Sequence, residues 1–287
     1  LKLQGKIIAA FGRQYLAELP DGTQLSCVPR GKKSEVACGD AVELQRTSGD
    51  QAVIEAIRPR TSLLYRSVAH REKLIAANVT QVIVVVAAEP SFDDELLARC
   101  LIAAHAQHAR ALIVLNKCDL TEAAALARKR LAPYRAIGYP VLEVSAKQSA
   151  EPLREYLQGQ ASVLVGQSGM GKSTLINALL PGAQAATREI STALDSGKHT
   201  TTHARLYQLD AASHLIDCPG VQAFGLHHLA YTDIEQAFPE FSPYLGRCRF
   251  YNCRHAHEPD CAVRQAAAEG KISPRRLQLF QQISQAS

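Results

Sequence analysis

Ala161-Ser162-Val163-Leu164-Val165-Gly166-Gln167-Ser168-Gly169-Met170-Gly171-Lys172-Ser173-Thr174 is the stretch on which the fold turns. A short apolar run meets three glycines, and a Lys-Ser-Thr opens an apolar-periodic stretch over 173–180. Strand, glycine-rich loop and helix, with four residues between Gly166 and Gly171-Lys172-Ser173, make a phosphate-binding P-loop. The glycines let successive backbone N–H groups and the helix N-terminus face an anion. Lys172 is expected to reach the β/γ-phosphate oxygens and Ser173 to ligate Mg²⁺, with Gln167, Ser168, Gly169, Met170 and Thr174 completing the cradle.

Around this loop the apolar pattern alternates between two periods. Strand-like runs at 82–87, 111–115, 141–144, 161–165, 204–209 and 214–216 are separated by helix-like stretches at 92–108, 122–131, 153–157 and 173–180. Continuous apolar strands alternating with helices predict a mostly parallel sheet covered on both faces. Two further loops belong to it. Asp217-Cys218-Pro219-Gly220 follows the last strand, placing Asp217 to contact a metal ion and Gly220 to offer an N–H to a γ-phosphate. Asn116-Lys117-Cys118-Asp119 follows the 111–115 strand. Asp119 can accept the N1–H and exocyclic amine of guanine, a pair adenine does not offer, so an adenine-driven enzyme is disfavoured. Asn116 can bridge neighbouring loops and the base edge, and the Lys117 stem can cover the base face. Ser145-Ala146-Lys147, after the 141–144 strand, has small residues that let a backbone N–H approach the guanine oxygen. GTP or GDP is the expected ligand.

Residues 183–202 show little regular pattern and end in His199-Thr200-Thr201-Thr202. A loop this long inside a compact domain is functional or mobile. Its hydroxyls are candidates to complete the Mg²⁺ shell when γ-phosphate is present. Thr201 is placed ahead of Thr200, although spacing does not separate them.

The flanking segments differ from the centre. Residues 1–60 read as five short strands at 6–15, 24–28, 34–38, 41–46 and 52–57 without a helix, a small closed barrel. Such barrels bind RNA through their loops; a structural cap is the other reading, since only Phe11 and Tyr15 offer rings. Residues 238–287 combine two helix-like stretches with Cys248-x₄-Cys253-x-His255-x₅-Cys261, a closed thiolate and imidazole set for structural Zn²⁺, with His257 a rival to His255. The expected architecture is multidomain α/β: barrel at 1–60, P-loop domain at 61–237 and zinc-binding helical domain at 238–287.

Composition agrees with a soluble globular protein: 47% of residues are hydrophobic and 21% charged. No apolar run is long enough to span a bilayer, so no membrane partner is expected. Nothing at Leu1 resembles a signal peptide, although without an initial Met the true N-terminus can lie upstream. Eight cysteines with no secretory segment suggest metal binding in a reducing compartment, hence a cytoplasmic location. The net +5 lies in the flanks: residues 1–60 carry nine Lys/Arg against seven Asp/Glu, and residues 240–287 seven against four. The centre is balanced at sixteen each, so the flanks could help hold a polyanion. Arg247, Arg249, Arg254, Arg264, Arg275 and Arg276 surround or follow the Cys/His cluster and are candidates for phosphate contacts.

The base motifs precede the P-loop, the reverse of the usual GTPase order. That order resembles the circularly permuted GTPases, and among them the bacterial ribosome small-subunit-dependent GTPases that act late in 30S assembly. The likeness covers nearly the whole chain, including Arg30-Gly31-Lys32, Gly39-Asp40, Lys198-His199-Thr200-Thr201-Thr202, Phe224-Gly225-Leu226, Phe238-Pro239-Glu240-Phe241 and the Cys/His cluster. The resemblance implies an OB-fold barrel, a permuted GTPase domain, a zinc domain whose spacing favours His255 over His257, and binding to 16S rRNA with hydrolysis stimulated by the 30S subunit. A monomer is expected. Small signalling GTPases carry a water-positioning Gln after the glycine that corresponds to Gly220; here Val221 stands there and Gln222 follows. Val221 cannot orient water, so intrinsic turnover should be slow, and His199 is the candidate to polarise water once the ribosome orders its loop, with Gln222 the alternative behind it. Because the third segment follows Gly220 within about 20 residues, a γ-phosphate-dependent movement of 217–225 could pull on the zinc domain. An RNA-binding scaffold that uses GTP only as a bound switch is the alternative reading.

Overall fold

A computed structural model of the chain describes residues 2–31, 35–68, 71–181, 204–218 and 224–285. The first five strands are β1 (Lys2–Phe11), β2 (Gln14–Glu18), β3 (Gln24–Pro29), β4 (Ala41–Arg46) and β5 (Gln51–Ile57). β1 pairs antiparallel with both β2 and β4, β2 pairs with β3, β3 with β5, and β5 with β4, so the ring closes. Ile7, Tyr15, Leu25, Val42, Leu44 and Ile54 fill a core belonging to this barrel.

Two strands differ from the sequence pattern. The run at 6–15 is a hairpin rather than one strand: Gly12, at φ +68°, makes the turn between β1 and β2. Of residues 35–38, read as strand, only Cys38 pairs, as an isolated bridge to Ala76. The cause is Asp40, fully buried, whose Oδ2 accepts the Ala37 N–H at 2.7 Å and curls the chain into a turn. Arg60 then closes on Asp40 with Nε and Nη2 at 2.7 and 2.8 Å, tying the turn to the end of the barrel.

A hairpin that the sequence pattern did not reveal, β6 (Leu63–Val68) and β7 (Arg71–Ala77), leads into the main sheet. Five parallel strands follow in the order β10 (Val141–Glu143), β9 (Arg110–Asn116), β8 (Gln81–Ala87), β11 (Ala161–Val165) and β13 (His214–Asp217). β8 is buried at every position, as a central parallel strand covered on both faces must be. Helices α1 (Asp94–Ala106), α2 (Thr121–Ala136), α3 (Glu151–Leu157) and α4 (Lys172–Leu179) alternate with them. α1 begins where Asp93 accepts the N–H groups of Glu95 and Leu96, with Asp94 and Glu95 in the first turn.

β12 (Arg205–Gln208) runs antiparallel to β13 at the sheet edge. Its other edge pairs with β1, Ala9 opposite Arg205, and the Ala10 N–H reaches the Ala204 carbonyl at 3.2 Å. Barrel and P-loop sheet are therefore one eleven-stranded sheet.

After β13 come α5 (Tyr231–Gln236), a 3-10 turn at Pro239–Phe241, α6 (Ala262–Ala268) and α7 (Pro274–Gln285). Phe238, Phe241 and Phe280 pack ring against ring at centroid distances of 5.0–5.2 Å. Buried Arg276 of α7 pairs with Glu240 at 2.7 Å and lies over the rings of Phe238 and, across in α2, Tyr134. One apolar core thus runs from the parallel sheet to Phe280. Among the described residues no helix is long and apolar enough to cross a membrane.

Candidate functional site

The P-loop glycines are required by their neighbours. Gly166 sits at φ +144°, and a Cβ there would run into the Val85 carbonyl of the adjacent strand. Gly171, at φ +88°, precedes α4, and a Cβ there would meet the Asn116 amide. Backbone can therefore approach both the sheet and the base loop only because side chains are absent. Lys172 Nζ donates to the carbonyls of Gly166 and Gln167, the latter at 2.8 Å. Burial pushes its pKa down, while the Asp217 charge pulls it back up. Gln167 Oε1 accepts the Asp93 N–H at 3.0 Å, Met170 is buried, and Ser168, Gly169, Ser173 and Thr174 are exposed. Ser173 and Thr174 lie in the first turn of α4, beside the loop amides.

Asp217 ends β13, opposite Leu164 of β11. Its Oδ1 is buried and has no hydrogen-bond partner among the described residues. Burial pushes its pKa up to about 6, against the pull of Lys172 and the Cys218 N–H. A buried carboxylate oxygen without a donor is costly, and a cation shared with an exposed Ser173 hydroxyl would relieve it. The residues present fit a divalent cation. Gly220, Val221, Gln222, His199, Thr200 and Thr201 lie outside the described residues.

The base loops meet the P-loop through one side chain. Asn116, the last residue of β9, is 1% exposed. Its Nδ2 donates to the Met170 carbonyl at 3.0 Å, and its Oδ1 accepts the N–H groups of Lys117 (2.8 Å) and Ala146 (3.0 Å). Three loops are thereby held in one register. The Ala146 N–H is thus directed at Asn116, so a guanine oxygen would have to share that donor. Lys117 takes φ +60° and sends Nζ to the Glu89 carbonyl at 2.7 Å, laying its stem along the loops. Asp119 is exposed, and its Oδ1 accepts from Ser145 Oγ at 2.6 Å. That hydrogen bond, aided by Lys147 and Lys117, holds its pKa below the usual carboxylate value, so it is an acceptor at neutral pH.

Cys248, Cys253, His255 and Cys261 bring their ligand atoms within 4.8 Å of one another. His255 Nδ1 lies 3.6, 3.5 and 3.2 Å from the three sulfurs. The donor set and spacing fit Zn²⁺. His257 stands exposed outside the cluster. His255 adopts φ +57°, and its Nε2 lies 2.9 Å from Glu235 Oε1 on α5. A carboxylate behind a metal-binding imidazole fixes its tautomer and orientation. Glu235 is the functional residue sequence reading missed; it lies 20 residues before His255, and no local spacing marks it.

A family model described as RsgA GTPase matches residues 57–227. A protein of Nitrosospira multiformis named small ribosomal subunit biogenesis GTPase RsgA is 54% identical over 281 residues, covering 98% of this chain and 90% of its own. One of the same name from Burkholderia pseudomallei is 54% identical over 287 residues, covering 98% and 91%. Among solved structures, YjeQ from Thermotoga maritima superposes with a TM-score of 0.73 at 28% identity, covering all of this chain and 98% of its own. YloQ, described as a circularly permuted GTPase, gives 0.70 at 26%, covering all of this chain and 95% of its own.

Proposed function

The chain belongs to the RsgA GTPase family and is a GTP hydrolase; on that premise we propose that it binds the small ribosomal subunit, assists its late maturation, and turns GTP over when the subunit stimulates it. The relatives' names point to small-subunit biogenesis, and the flanking barrel and zinc segments carry the positive charge such a partner needs. In this reading the protein is a cytoplasmic monomer that touches 16S rRNA through parts divided near residues 60 and 237.

Asp119 accepts the guanine N1–H and amine, with Asn116, Lys117, Ser145, Ala146 and Lys147 forming the walls. Amides of residues 166–174 and Lys172 hold the phosphates. Ser173, Asp217 and one of Thr200 or Thr201 would hold Mg²⁺, which when bound neutralises charge on the β/γ oxygens. Cys248, Cys253, His255 and Cys261 would hold structural Zn²⁺. Hydrolysis needs a water oriented toward the γ-phosphorus; Val221 cannot do this, and His199 is the candidate, supplied when the subunit orders its loop. Gly220 offers its N–H to the γ-phosphate. Movement there would pass through buried Phe224 and Leu226 to α5, whose Glu235 holds His255 of the zinc cluster.

What supports the reading is the triple hydrogen bonding of Asn116, which ties the 166–174 and 145–147 loops to the loop that carries an exposed, ionised Asp119, as a guanine site would need. Pelleting with purified small subunits tests it. Binding should depend on which guanine nucleotide is present and ignore ATP; failure to pellet with any guanine nucleotide refutes it.

A further inference from the structure

Large apolar side chains are rarely left in water without a reason when they cluster. Among the described residues the most exposed large apolar side chain is Tyr251, at 103%, and its neighbour Phe250 is 42% exposed. Both lie in the loop between Cys248 and Cys253, inside the zinc ligand set. The loop is held from within. The Cys253 N–H donates to the Phe250 carbonyl at 3.2 Å, and the Arg249 N–H donates to the Asp260 carbonyl at 3.2 Å. Glu258 accepts the N–H groups of Arg254, Ala256 and His257, which engages its carboxylate in shaping the loop. Two rings on a braced backbone lose little freedom when something stacks on them.

Their surroundings are cationic. Arg247, Arg249 and Arg254 are exposed in the same segment; the Arg249 guanidinium lies 5.6 Å from the Phe250 ring and pairs with Asp260 at 3.1 Å, and that of Arg254 lies over the Tyr231 ring. From Arg247 to Arg264 four arginines face two acids, Glu258 and Asp260. Exposed rings in an arginine-rich segment, one of them beside the Arg249 guanidinium, suit a ligand with flat apolar faces on a negatively charged chain. Unpaired nucleotides have that chemistry: bases stack on aromatic side chains while phosphates meet the arginines. A protein partner would not need the arginines.

We propose that Phe250 and Tyr251 form a stacking platform for unpaired RNA bases, carried by the zinc loop. The inference rests on the small-subunit reading for the source of that RNA and names how the third segment would read it. Base stacking on such a ring changes affinity by about 5- to 150-fold per base.

The test compares the full-length wild type with Tyr251→Ala, Phe250→Ala and Tyr251→Phe. Zinc content and guanine-nucleotide affinity serve as folding controls, and Tyr251, outside the core, should leave both unchanged. Each protein is pelleted with purified small subunits, and titrated with a single-stranded oligouridylate and an abasic strand of equal length. Tyr251→Ala should lose at least about 5-fold on subunits and oligouridylate, with no loss on the abasic strand, and Tyr251→Phe should retain affinity. Equal binding by Tyr251→Ala and wild type on oligouridylate overturns the platform. Loss on subunits without loss on oligouridylate overturns it in favour of a protein contact. If the wild type fails to pellet with subunits, the small-subunit reading falls, and the oligouridylate arm still decides the platform.

Discussion

Replacing Asn116 with Ala removes three hydrogen bonds at once and leaves the Met170 carbonyl and the N–H groups of Lys117 and Ala146 without their partner. Each such bond contributes about 1 kcal/mol net, so the loss should be about 2–4 kcal/mol, because the site is closed to water and the partners cannot all be resolvated. In a chain of this size that lowers the unfolding temperature by roughly 3–7 °C. The same change should weaken guanine-nucleotide binding, since the P-loop and base loop lose their common register. Asp119→Ala is the contrast. Asp119 is exposed, held by the Ser145 hydroxyl and by the charges of Lys147 and Lys117 at a solvent-screened site, so the unfolding temperature should hold while guanine affinity falls by on the order of 100-fold. Thermal unfolding without nucleotide, paired with titration of a fluorescent GDP, separates the two effects. An Asn116→Ala protein that melts with the wild type would refute the claim that this side chain braces the site.

Three further outcomes follow from the geometry. Glu235→Ala should weaken zinc binding by about 10- to 100-fold in competition with a chromophoric chelator, and unchanged affinity would remove Glu235 from the site. Burial pushes the His214 pKa down to about 4, with Lys6 adding to it, whereas an unfolded histidine titrates near ~6.5. The unfolded state therefore takes up the extra proton first, and stability is lost as pH falls from about 6.5 toward 4, about 2 kcal/mol of it between pH 7 and pH 5. Urea unfolding at those two pH values should show His214→Gln losing less than the wild type; parallel losses would count against a buried neutral imidazole. Gly166→Ala should cost about 3 kcal/mol or more, because its Cβ strikes backbone, while Gly169→Ala, whose Cβ meets only the Pro90 side chain at 3.5 Å, should cost about 1–2. Comparable unfolding temperatures for the two variants would contradict the collision.

Where the sequence was readable, a local pattern had one dominant cause. The P-loop, the Asn116–Asp119 loop and the Cys/His cluster each combine fixed spacing with a required chemistry, and each motif's described residues lie together in space. The continuous apolar run at 82–87 announced a strand buried on both faces, and β8 is that strand. Reading failed where a distant partner decided the outcome. Residues 35–38 carry a strand-like pattern, yet the buried Asp40 carboxylate held by Arg60 bends them into a turn. β6 and β7 carry a charged, non-alternating sequence, and what makes them strands is their pairing with each other, from Leu63 opposite Ala77 to Val68 opposite Arg71. The joining of barrel and P-loop sheet through β1 and β12, and the reach of Glu235 to His255, are contacts between residues far apart in the chain, which local periodicity does not encode.

A GTPase that carries Val221 where a water-positioning glutamine would stand should, on the proposed function, gain its turnover from the small subunit. Multiple-turnover phosphate release from GTP, with and without purified small ribosomal subunits, tests this most directly. Slow release alone and a large increase with subunits is the predicted result. Turnover that is equally fast without subunits, or equally slow with them, would contradict it.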